Sequence, residues 1–170
     1  VFTNLTAGTY NVIVTDANGC SSQKSVAVAQ PAAITSSETK TDVLCNGGNN
    51  GTLTISATGG TGTLQYRIGS GALQTSNTFN NLSAGTYSIT IADANNCTVT
   101  RSVTITQPAA VTAAAAAEQA KCFGESSGKI TVTGGGGTAP YQYKIGTGAL
   151  QSSNAFNNLA AGSYNVIVRD

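Results

Sequence analysis

The chain has 170 residues, with 8 Lys and Arg against 7 Asp and Glu, a formal net charge of +1 and only 9% of positions charged. The basic residues Lys24, Lys40, Arg67, Arg101, Lys121, Lys129, Lys144 and Arg169 are scattered, which excludes the clustered footprint of a nucleic-acid partner. His, Met and Trp are absent, so the commonest general base and metal ligand are missing, and no catalytic residue, metal site or cofactor is expected.

The chain repeats itself, and the period governs the fold. Phe2, Phe79 and Phe156 recur with a period of 77, as do Tyr10, Tyr87 and Tyr164, and Asp16, Asp93 and Asp170. Cys20 maps onto Cys97, Cys45 onto Cys122, and Gln30-Pro31 onto Gln107-Pro108. If Gln-Pro closes each unit, residues 1–31 are the C-terminal part of one repeat, 32–108 a complete repeat, and 109–170 a further repeat lacking its last strand. The chain then reads as a stretch of a longer array. Such a period exceeds that of solenoid units, so each copy is expected to be a domain in its own right.

In chain order, Tyr10/Val12/Val14 and Val26/Val28 alternate large apolar with polar positions, the mark of half-buried strands. Ile34 to Leu44, rich in Thr, favours a strand. The turn cluster Asn46 to Gly51 leads into Leu53/Ile55/Ala57. Gly59-Gly60-Thr61-Gly62 precedes Leu64/Tyr66/Ile68, and Gly69-Ser70-Gly71 follows it. Tyr87 to Asp93 and Val103/Ile105 complete the unit, with a turn at Asp93 to Asn96. Val111 to Lys121 contains five successive alanines and reads as helix on propensity. It is the copy of Ile34 to Leu44, however, so both are expected to be strands. Ile130/Val132, Tyr141/Tyr143/Ile145 and Tyr164/Val166/Val168 repeat the earlier runs. The expected class is all-β: tandem immunoglobulin-like antiparallel β-sandwich repeats, one to each period. In such sandwiches a tyrosine corner ties a strand start to its preceding turn, and Tyr10, Tyr87 and Tyr164 sit in the matching place.

Phe79 to Tyr87 (Phe-Asn-Asn-Leu-Ser-Ala-Gly-Thr-Tyr), Ala92 to Cys97, Thr104 to Pro108, Cys45-Asn46-Gly47-Gly48 and the Gly-rich stretch Gly134 to Tyr143 together resemble the SprB-type repeat of Bacteroidetes surface adhesins. The resemblance covers essentially the whole chain; Leu64, where the other copy has Tyr141, departs from it. It implies an extracellular, cell-surface location, export by the type IX system, and a role as a stalk module of long filaments used in gliding motility or attachment. It implies no catalytic residue. The partners expected are neighbouring repeats of the same chain and, at the surface, polysaccharide or other surface proteins, with no nucleic acid and no membrane span. The competing reading is a carbohydrate-binding or accessory module of a secreted multidomain protein.

The cysteines Cys20, Cys45, Cys97 and Cys122 are disulfide candidates in an oxidising setting. Cys45 can pair with Cys97 inside a repeat, or with the hairpin cysteine of the following repeat, four residues past Asp170; Cys20 with Cys45 is a third arrangement. Asp16-Ala17-Asn18 and Asp93-Ala94-Asn95 have calcium-loop spacing, but hairpin turns use the same residues and carboxylates are few. Tyr66, Tyr141 and Tyr143 with Gln65 and Gln142 suggest a sugar-stacking surface, yet alternation turns Tyr66 and Tyr143 toward the core. The inter-repeat junctions Gln30-Pro31 and Gln107-Pro108 are expected to limit bending, because proline fixes φ and restricts the residue before it.

Overall fold

The computed structural model describes residues 1–170. It is all-β, with thirteen strands, and no helix is long and apolar enough to cross a membrane. β1 (Gly8–Thr15) and β2 (Ser21–Val28) form an antiparallel hairpin in unbroken register from Gly8–Val28 to Thr15–Ser21. The complete copy supplies β3 (Thr35–Thr41), β4 (Gly51–Thr58), β5 (Gln65–Ile68), β6 (Thr78–Leu82), β7 (Gly85–Ala92) and β8 (Thr98–Ile105). These make two sheets, ordered β3-β4-β6 and β5-β7-β8. The last copy contributes β9 (Thr112–Glu118), β10 (Gly128–Gly135), β11 (Gln142–Ile145), β12 (Ala155–Leu159) and β13 (Val166–Arg169). They form a three-stranded sheet β12-β10-β9 and a two-stranded sheet β11-β13.

The chain groups into two compact units, one comprising Val1–Ser37, Ile55–Asn77 and Ile89–Arg101, the other Glu38–Thr54, Thr78–Ser88 and Ser102–Asp170. In the first, Ile55, Ile89 and Ile91 are fully buried, with Tyr66 and Ala92 nearly so. In the second, Leu53, Ile105 and Val132 are fully buried and Val43, Leu82 and Val103 closely follow. Within that unit Val132, Tyr143 and Phe156 form a cluster against which Ile130, Leu159, Val166 and Val168 pack. Alternation along β4 accounts for this: Gly51, Leu53 and Ile55 face inward while Thr52 and Thr54 are half-buried.

The alanine run is a strand, β9, paired with β10 from Lys129–Glu118 to Gly135–Thr112. Alanine's helix propensity amounts to a few tenths of a kcal/mol per residue against most strand formers, and here a full ladder outweighs it. The Lys129 ammonium also reaches the Glu118 carboxylate at 2.9 Å across the same pair.

Two strands, β6 and β12, have no alternation to announce them. Each carries an Asn-Asn pair whose second residue is left-handed, Asn81 at φ 58° and Asn158 at φ 57°. That conformation is one Asn tolerates better than other side chains. It inserts a bulge: Leu53 faces Phe79 but Gly51 faces Leu82, and Ile130 faces Phe156 but Gly128 faces Leu159.

Candidate functional site: the junction between repeats

Each Gln-Pro leads into two alanines, and a glycine pair of the next copy receives them. Gly60 N donates to Ala32 O at 2.8 Å, and Gly137 N to Ala109 O at 2.8 Å. A Cβ built on Gly59 would overlap the carbonyl oxygen of Ala33, and one on Gly136 that of Ala110. Both glycines have positive φ, +88° and +65°. The approach is main chain against main chain, so it needs residues without side chains.

The second junction is held from the preceding copy as well. Asn46 Nδ2 donates to Pro108 O at 3.0 Å, and Gly47 N donates to the Gln107 side-chain oxygen at 2.8 Å. The loop that presents them is closed by Gly48 N on Cys45 O at 3.0 Å and by Leu44 N on Asn50 Oδ1 at 3.1 Å. Gln107 through Ala110 is therefore fastened by the Cys45 loop on one side and by Gly136-Gly137 on the other. Gln30-Pro31 leads into the corresponding glycine clasp through Ala32 and Ala33.

Aspartates at the strand ends brace the neighbouring loops. Asp93 Oδ1 accepts from Asn95 N and Cys97 N, both at 2.9 Å, and Oδ2 accepts from Thr61 N at 2.9 Å. Asp16 Oδ1 accepts from Asn18 N and Cys20 N, and Asp170 Oδ2 from Thr138 N. The Asp-Ala-Asn spacing thus serves a hairpin turn whose carboxylate is engaged by backbone amides. Asp42 accepts from Thr106 N at 2.7 Å and pairs with Lys40 at 3.0 Å.

The Cys97 amide chiefly holds the Asp93 carboxyl below its ordinary 3.8, against desolvation, with the Thr61 and Asn95 amides assisting. The Thr106 amide and then Lys40 do the same for Asp42. With a folded value below the unfolded one, the stabilisation is complete above pH 3.8 and is lost as pH falls through the lowered folded value. Calorimetric melts should therefore show the melting temperature dropping below about pH 4. The double variant D42N/D93N should flatten that drop while melting lower at neutral pH.

Tyr87 OH donates to Ser83 O at 2.9 Å, Tyr10 OH to Thr6 O at 2.8 Å and Tyr164 OH to Ala160 O at 2.9 Å. Tyr10 and Tyr87 tie a strand start to the turn before it, and Tyr164 does so two residues ahead of β13. Tyr87→Phe should cost about 1 kcal/mol, read as a lowered urea midpoint at unchanged slope.

Cys20, Cys45, Cys97 and Cys122 are exposed free thiols. Cys45 lies at the foot of the junction loop; Cys20 and Cys97 cap the Asp turns through their amides. Tyr66 and Tyr143 are buried, so their ring faces are withheld from a sugar, and the Tyr141 hydroxyl donates to Gly136 O beside the glycine clasp. Sequence reasoning treats Gly59-Gly60 and Gly136-Gly137 as turn residues only. The signal that distinguishes them is their retention in both copies, where Gly62-Thr63 becomes Ala139-Pro140.

A family model described as the SprB repeat matches residues 37–73 and 114–150. The starts of the two matches lie one full period apart, in step with the repeat read from the sequence. Comparison with curated proteins finds no match.

Proposed function

From the premise that this chain carries two SprB repeats, a structural repeat family, we propose that it is a non-catalytic stalk segment of a cell-surface adhesin filament, exported by the type IX route and used in gliding or attachment. Residues 1–31, 32–108 and 109–170 are, in this reading, successive beads of one array. The beads bear tension between an anchored end and an adhesive end.

The observation that carries this is the arrangement of the first and last strands of the complete copy. Arg101 Nη2 donates to Ser36 O, Lys40 Nζ to Thr104 O, and Val43 N to Thr106 O. Partner numbers rise together, so β3 and β8 run in the same direction. Tension applied at residues 32 and 108 then shears these contacts side by side rather than peeling them one at a time. A shared load is what a stalk module needs. The fastened Gln107-Pro108 link passes that load on without a slack linker.

Disulfides would add to this resistance. Cys45 stands in the loop that holds Gln107 and Pro108 where the chain leaves for the next copy, which supports a bridge from it to the hairpin cysteine of that copy. Such a bridge contributes roughly 2–4 kcal/mol.

Pulled between its termini by atomic force microscopy, the chain should give a discrete rupture with a length gain of roughly 250 Å, the extended reach of one repeat at ~3.6 Å per residue less its folded span. Featureless stretching without a rupture overturns the stalk reading. Specific binding on a glycan array would instead favour a carbohydrate-binding module.

A further inference from the structure

Asparagine stands directly before glycine at Asn18-Gly19, Asn46-Gly47 and Asn50-Gly51. Asparagine is chemically labile, and most so before glycine, where no side chain obstructs the following backbone nitrogen as it approaches the asparagine side-chain carbon. What differs between the three steps is what holds the reacting groups. Gly51 is buried at the start of β4, and Asn50 Oδ1 accepts from Leu44 N at 3.1 Å. Gly19 N bonds within its own turn, to Asp16 O at 3.1 Å. At Asn46-Gly47 both groups are held by a distant segment: Asn46 Nδ2 donates to Pro108 O at 3.0 Å, and Gly47 N to the Gln107 side-chain oxygen at 2.8 Å.

The nucleophile and the leaving group of one reaction are thus both engaged by the link between copies. To react, Gly47 N must turn toward Asn46 Cγ and give up its proton, and its bond to Gln107 opposes both. Asn46 and Gly47 are exposed, so water reaches them.

The turn itself does not require asparagine. In the last copy Phe123-Gly124 takes the same place, with Gly124 left-handed at φ 81° as Gly47 is at 76°. Glu125 N closes that turn on Cys122 O at 3.3 Å, as Gly48 N closes this one on Cys45 O at 3.0 Å. The Asn46 side chain therefore serves the link rather than the turn.

We propose that Asn46-Gly47 is a self-modification site gated by the seating of Gln107-Pro108. While the link is seated, the step is held unreactive. Once the link lifts, Gly47 N bonds to Asn46 Cγ, the Cγ–Nδ2 bond breaks, and ammonia leaves carrying the proton that Gly47 N has lost. Water then opens the cyclic imide to aspartate or isoaspartate, and no oxidant or reductant is needed. Either product places an oxygen where the Nδ2 donor stood, facing the Pro108 carbonyl. Isoaspartate also routes the main chain through the former side chain, which adds one carbon and moves Gly47 N away from Gln107. The loop then no longer grips the link, so a lasting opening becomes permanent. The proposal concerns the chemistry of the loop and holds whether or not the chain bears load.

Peptide mass mapping of the whole chain, aged at mildly alkaline pH, tests it. Asn46 should deamidate at least roughly tenfold more slowly in the folded wild type than in urea, the protection expected of two hydrogen bonds. Gln107→Ala removes the acceptor of Gly47 N and should raise the folded rate at Asn46 by roughly fivefold. Gln107→Glu keeps an acceptor and should keep the wild-type rate. Asn18, which no residue of the link touches, should react equally in all three proteins. Asn50, whose glycine is closed inside β4, reports folding and should stay unreacted in each. A folded wild-type rate at Asn46 equal to that in urea overturns the proposal, as does an unchanged rate in Gln107→Ala. If Asn50 reacts alongside Asn46 in Gln107→Ala, Gln107 acts through folding alone and the gate is likewise overturned.

Discussion

Gly59→Ala should be the most damaging single-atom change in the complete repeat, lowering stability by roughly 3 kcal/mol or more. Two costs combine. A left-handed backbone on a residue with a Cβ costs roughly 1–2 kcal/mol, and Gly59 sits at φ +88°. The new methyl also overlaps the Ala33 carbonyl, which is main chain and cannot swing aside like a side-chain tip. Relief requires Ala32-Ala33 to withdraw, which breaks the Gly60 N to Ala32 O bond at 2.8 Å. Gly69→Ala separates the two costs, because Gly69 has φ +55° but nothing within 4 Å of its would-be Cβ. It should lose only the conformational part. On a domain of this size 1 kcal/mol moves the melting temperature by about 4–8 °C, so circular dichroism melts resolve the pair. Equal losses for the two variants would remove the clasp from the account. Gly136→Ala should reproduce the Gly59 result in the last copy, since it meets Ala110 in the same way.

Leu53→Ala should cost about 2–5 kcal/mol. Leu53 is fully buried, and its neighbours on both sheet faces are held by ladders that restrict collapse into the cavity. A domain of this length has a total stability of about 4–12 kcal/mol, so the loss takes a large part of it. Urea titration should show the midpoint falling sharply. Ile130→Ala, at the equivalent position of the last copy, should cost visibly less, because Ile130 is only partly buried. If the two losses match, depth of burial at this position is not what sets the cost.

Most strands are legible in the sequence because their alternation survives intact, as in Leu53/Ile55 and Ile89/Ile91. The alanine run shows the value of the repeat over local propensity: Val111 to Lys121 alone suggests a helix, and only its copy, Ile34 to Leu44, identifies it as a strand. β6 and β12 escape detection because the bulge at Asn81 and Asn158 shifts the register by one residue, which hides period two. The clasp escapes for another reason. Its partners are carbonyl oxygens of alanines far away in the sequence, and a main-chain acceptor leaves no trace in residue type.

Most of the hydrogen-bonding atoms that hold the chain on either side of the link between copies belong to the backbone, with Gln107 and Asn46 the side-chain contributors. Such a coupling is indifferent to what the adjoining copies display on their outward faces. Whole units can be duplicated, deleted or exchanged by recombination without remaking the connection, so the gene is free to vary in length while surface residues diverge from one copy to another.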